Sequence, residues 1–199
     1  MKRLMLLTVI VAILAVLVLK ISGQTPSKSN GPVFAADNQL VRPTNYRQWV
    51  WLSSGLGMTY NPEAQSNAAD PHFDNVFVTP EAYRAFLRTG KWPNKTMFVL
   101  EFRASHTSGS INKAGHFQGE LVGIEAEVKD ESRFPEKWGF FPFRGNEQTA
   151  KPASPATTEC LACHSKNGAV DNTFVQFYPT LLEVAKQKGT LKPASAETK

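Results

Sequence analysis

The sequence predicts an α+β fold: an antiparallel β-sheet with a few short helices. Three observations carry that expectation. Two long stretches, Thr96 to Ala104 and Phe117 to Val128, alternate side chains with the period of a strand. A loop rich in Ser and Gly, Ser105 to Gly115, joins them as a hairpin would. The helix signals elsewhere are short and carry their own start and stop residues.

The elements follow in chain order. Lys2 and Arg3 precede an uncharged, apolar run from Leu4 to Leu19, closed by Lys20. Residues 1–21 therefore read as an export signal peptide or an uncleaved membrane anchor. Either places the following domain in the periplasm, soluble or tethered to the cytoplasmic membrane. Residues 22–39 are rich in Ser, Gly, Pro and Asn and read as a linker. The globular domain is expected over 40–190, with a polar tail at 191–199. Tyr46, Trp49, Val50 and Leu52 have the spacing of a short amphipathic helix, ended by Ser53 to Gly57. Phe73 to Val78 reads as a strand. Thr79, Pro80 and Glu81 form a helix start, with Thr79 as N-cap and Pro80 at the first helical position. Tyr83, Phe86 and Leu87 would make its buried face, and Gly90 its stop.

On the Thr96–Ala104 strand, Phe98, Leu100 and Phe102 point one way and Glu101 and Arg103 the other. On the next strand, Val122, Ile124, Ala126 and Val128 share one face. Leu121, Gly123, Glu125 and Glu127 share the opposite one. Trp138 to Phe143 reads as a further strand. Phe174, Phe177 and Tyr178 lead into a short C-terminal helix from Pro179 that ends near Gly189. The chain has a net charge of +5, but Lys2, Arg3, Lys20 and Lys28 all lie in the leader and linker. Without them the domain is close to neutral. No basic stripe supports nucleic-acid binding.

Cys160-Leu161-Ala162-Cys163-His164 carries the chemistry. Cys-x-x-Cys-His is the attachment signature of a c-type haem. Two thiols one helical turn apart add across the two porphyrin vinyl groups as thioethers. His164 is then placed to ligate the iron. The competing readings are a redox dithiol and half a zinc site. The chain contains only these two cysteines, so the second pair of a four-cysteine zinc site is missing. A thioredoxin-like pair would follow an early strand. One covalent haem c is the expected cofactor.

Several stretches resemble the cytochrome P-460 family. They are Asn45-Tyr46-Arg47 with Trp49, Val76-Phe77-Val78 with Pro80, Glu81 and Tyr83, and Gly123-Ile124-Glu125-Ala126. Val128-Lys129-Asp130, Arg133-Phe134, the Cys160–His164 motif and Phe177-Tyr178-Pro179 complete the likeness. The resemblance implies a sheet-based homodimer with five-coordinate haem held by His164. In the P-460 members proper, a lysine in a Val-Lys-Glu context is bonded to the porphyrin, and the protein oxidises hydroxylamine. Here that context reads Val99-Leu100-Glu101. Leucine cannot form the bond, so the chain resembles the cytochrome c′-beta relatives, which bind NO and CO in an apolar distal pocket. Phe98, Leu100 and Phe102 would line such a pocket, although plain sheet core explains them equally well. Glu125 matches a family carboxylate that acts as a distal proton relay; its ordinary reading is a solvated residue alternating with Glu127. A distal arginine of the enzymes is replaced near Asp74. Met58, Met97, His72, His106 and His116 are the remaining candidates for a sixth ligand; Met58, in a Gly-rich loop, is the best of a weak set.

The expected function is an exported haem protein with five-coordinate iron that scavenges or senses NO. Two alternatives stay open. One is an oxidoreductase acting on hydroxylamine or NO; the other is a periplasmic electron-transfer cytochrome.

Overall fold

The computed structural model describes residues 30–59, 71–153 and 156–193. The leader at 1–21, the linker as far as residue 29 and the tail from 194 lie outside the described residues. The fold is α+β. Five strands form an antiparallel meander: β2 (Val50–Leu56), β3 (Phe73–Val78), β4 (Met97–His106), β5 (Phe117–Lys129) and β6 (Trp138–Phe143). Each pairs with its neighbour in sequence, the order that hairpin connections produce. A two-stranded ribbon of β1 (Leu40–Val41) and β7 (Thr149–Ala150) lies apart. The described helices are α1 (Pro80–Thr89), α2 (Ala156–Asn167) and α3 (Pro179–Lys188).

Both faces of the sheet are covered, and this organises the molecule. On one face Val78, Phe98, Trp138 and Phe140 pack with Phe86 of α1, Leu181 of α3 and Val170 and Val175; Cys160 and Leu161 of α2 join them. On the other, Met97, Val99, Ile124, Ala126, Val128, Phe141 and Phe143 pack with Leu40, Tyr46, Trp49 and Ala150. Period-2 alternation thus delivers apolar side chains to two cores. Burying Phe86, which is fully inaccessible, contributes about 2 kcal/mol by itself.

The strands β3 and β6 and the helices α1 and α3 lie where the sequence places them. Gly90 ends α1 in the left-handed region at φ 69°. It is also needed sterically, since a Cβ there would sit 2.7 Å from Cβ of Lys188 at the end of α3.

Four local expectations need correction. Residues 46–52 are not an amphipathic helix: Tyr46–Gln48 is a single 3-10 turn, after which β2 runs through to Leu56. Pairing with β3 overrides the i, i+3, i+4 spacing: strand alternation sends Val50 and Leu52 to the helix-covered core and leaves Trp51 exposed, with a bulge between Trp51 and Ser53. Thr79 is the N-cap residue of α1 as expected, and its carbonyl accepts the first intrahelical bond from the Tyr83 N–H at 3.0 Å, but its side chain makes no capping bond. Ala82 and Phe86 are the buried positions of α1, while Leu87 is exposed. Val122 is exposed too: it is the extra residue of a bulge in β5, between Gly123 opposite Phe102 and Leu121 opposite Arg103, and lies beyond the pairing with β6.

Candidate functional site

The sulfur–histidine motif lies on α2, with Cys160 packed against the helix-covered sheet face. His164, near the end of that helix, is fixed from three sides. Its ring packs edge-on to Phe140 of β6 at 4.8 Å and against Phe174 at 4.5 Å. Its Nδ1–H donates to the Asn172 carbonyl at 2.9 Å. That bond selects the tautomer whose Nε2 is free of its proton and available to a metal. Nε2 is directed at β5 and lies 3.6 Å from Oε1 of Glu127.

Register places the other site residues. Leu100 is directly opposite Val76 on β3 and Glu125 on β5; Phe98 is opposite Val78 and Glu127; Phe102 is opposite Asp74 and Gly123. All therefore share one sheet face. Phe98 is buried in an aromatic group, 4.8 Å from Trp92 and 6.5 Å from Tyr178. Leu100 and Phe102 are half-buried farther along the strand. Phe98 thus belongs to the core beside the motif, and Leu100 and Phe102 continue the same sheet face as its more open apolar positions.

Glu125 is reached by solvent but hemmed by neighbouring protein, which pushes its carboxyl above the usual range; His164 pulls the other way. Burial raises Glu127 as well, with His164 opposing and Glu125 reinforcing the rise. Asp74 is pushed up to about 6 by partial burial, opposed by His72 and aided by Glu125. Three carboxyls on one face therefore hold protons more readily than ordinary ones. Sequence alternation placed Glu127 on this face, yet its approach to His164 could not be read from it.

The thiol chemistry discriminates between readings. Burial pushes Cys160 up, and the carboxylates of Glu125, Glu127 and Glu159 add to the effect. A catalytic redox dithiol needs the opposite shift, so this environment disfavours that reading. A thioether has no proton to lose and tolerates it. Among the described residues no cluster of three or more His, Cys, Asp or Glu side chains gathers as a metal site. The donor set of two thiols one helical turn apart, followed by an imidazole with Nε2 free, fits a haem c.

The Cytochrome P460 family model matches residues 43–175. The chain belongs to the cytochrome P460 family. It is accordingly a haem protein of that family, and both the sheet and the Cys160–His164 motif fall within the matched span. Among curated proteins, none matches this chain.

The remaining ligand candidates lie elsewhere. Met97 is buried on the opposite sheet face. Met58 and His72 are exposed. His116 bonds the Ser105 hydroxyl at 2.7 Å, and His106 meets Glu120 at 3.0 Å, both in the β4–β5 hairpin.

Behind the site, on the opposite face, lies a polar cluster that sequence reasoning missed. Glu101 is 2% exposed and accepts from Tyr46 Oη at 2.9 Å, Arg47 Nε at 3.0 Å and Asn75 Nδ2 at 3.3 Å. Arg103 completes it at 3.1 Å. Those hydrogen bonds hold the Glu101 carboxyl below its usual range against the cost of burial. The cluster explains the Asn45–Trp49 stretch: Tyr46 and Arg47 brace the strand that presents Leu100.

Proposed function

We propose that this protein is an exported c-type haem protein with an open iron position that binds NO and CO, serving nitric oxide scavenging or sensing. Cys160 and Cys163 would hold the haem through thioethers and His164 through Nε2. When bound, the haem supplies an iron atom able to take a neutral diatomic ligand. The observation that carries the reading is Leu100. It stands on β4 opposite Glu125, and by the family resemblance it takes the place of the lysine that bonds the porphyrin in the lysine-linked relatives. With Phe102 it gives an apolar wall, which favours small neutral ligands over anions.

A second reading has its own support. The carboxyls of Glu125, Glu127 and Asp74 share that face with raised proton affinities, as a proton acceptor for hydroxylamine or NO oxidation would require. The proposed homodimer and periplasmic location follow the family resemblance and the apolar leader. The optical spectrum of the ferrous protein tests the assignment. A five-coordinate high-spin spectrum that converts on NO or CO addition supports the gas binder. A band far to the red of an ordinary Soret supports the enzyme, and a six-coordinate low-spin spectrum supports an electron carrier.

A further inference from the structure

The turn whose carbonyl holds His164 is itself held by a charge clamp. Val170 and Thr173 exchange backbone hydrogen bonds of 3.3 and 2.9 Å, and between them Asp171 and Asn172 have φ of 48° and 61°. This is a two-residue type I′ hairpin turn, for which positive φ at both central positions is the requirement. Asn172, second in the turn, offers its carbonyl to His164 Nδ1. Asp171, first in the turn, sends its carboxylate to Lys129 Nζ at the end of β5. Lys129 is 7% exposed and also donates to the Trp92 carbonyl at 2.9 Å, with Glu131 at 3.7 Å. Thr173 accepts from Trp92 Nε1 at 2.8 Å. Gly168 lets the turn approach α2, since a Cβ there would lie 2.6 Å from both Asn172 C and the His164 carbonyl oxygen.

We infer that the Lys129–Asp171 ion pair is a positioning device for the iron ligand. It ties the turn to β5, the strand that carries Glu125 and Glu127, and so keeps the Asn172 carbonyl on His164 Nδ1–H. A firmly held bond at Nδ1 makes Nε2 a stronger donor to iron. A buried ammonium on a long chain is a costly way to hold a turn. Its placement behind the ligand's hydrogen-bond acceptor gives it a function. The inference rests on His164 as the iron ligand.

Two variants with opposite charge changes test it in the haem-loaded protein. Lys129→Met removes a cation; Asp171→Gly removes an anion and leaves a residue that accepts positive φ. The readouts are the ferrous iron–imidazole stretching band in resonance Raman and the reduction potential. A positioning clamp predicts that both variants lower the band and raise the potential, and that Lys129→Arg restores both. A pure field effect moves the potential in opposite directions in the two variants and overturns the clamp. So does an unmoved band in both. A wild-type protein without any iron–imidazole band overturns the His164 assignment and the clamp together.

Discussion

Asp74→Asn isolates the proton-holding character of the site face. Asp74 lies opposite Phe102 on β3, with its carboxyl raised from 3.8 to about 6 by partial burial, His72 opposing and Glu125 adding. The folded protein therefore binds this proton more tightly than the unfolded chain. Its stabilising effect is fully present below about pH 4 and is lost as pH rises through about 6. A shift of about two units at ~1.4 kcal/mol each sets a ceiling of ~3 kcal/mol. Solvent reaches part of the side chain, and screening brings the expected value to about 1 kcal/mol. Asn cannot ionise, so the variant escapes that loss. The assay is denaturant unfolding of the haem-loaded protein near pH 4 and near pH 7.5, wild type against Asp74→Asn. Between the two, the variant should gain about 1 kcal/mol on the wild type, or roughly 2–4 °C in Tm for a domain of this size. A variant that instead falls behind as pH rises would mean that Asp74 is paired as an anion, and the reasoning would fail.

His164→Ala should leave both thioethers intact while opening the fifth coordination position. The ferrous spectrum should lose its imidazole-ligated high-spin form, and an unchanged spectrum would contradict the ligand assignment. Leu100→Lys places an ammonium directly opposite Glu125 in the β4–β5 register. It should draw the Glu125 carboxyl back down to the ordinary range or below, as read by isotope-edited infrared titration. Glu101→Gln keeps the shape of the buried cluster but leaves Arg47 and Arg103 without their anion. It should cost about 2 kcal/mol near pH 7 by thermal unfolding. Because Glu101 is held below its usual range, the difference should shrink as pH falls through that lowered value.

The elements legible in the sequence were those whose signals are local. The strand Phe73–Val78 needed only its alternation, and α1 only Pro80 and Gly90. Residues 46–52 were misread because Tyr46, Trp49 and Val50 satisfy a helical spacing by coincidence of a 3-10 turn running into a strand. The pairing with β3 that decides the matter is not written in the segment itself. The heart of the candidate site was legible because Cys160, Cys163 and His164 are a contiguous motif. The Glu101 cluster was not, since alternation shows which way Glu101 points but not that Tyr46 and Arg47 return to cover it. The Asn172 carbonyl leaves no side-chain signal at all. The adjacent pair Asp171-Asn172 was a turn signal that would have suggested where the chain doubles back beneath His164.

Mass spectrometry of the protein matured in a host with cytochrome c assembly is the most direct test. The intact chain should exceed the polypeptide mass by one haem. Proteolysis of the denatured protein should then release that haem on a single peptide spanning Cys160 to His164. An unmodified intact mass would contradict haem attachment. A second peptide bonded to the porphyrin, from residues 91–113 around Leu100, would move the protein to the cross-linked, hydroxylamine-oxidising branch.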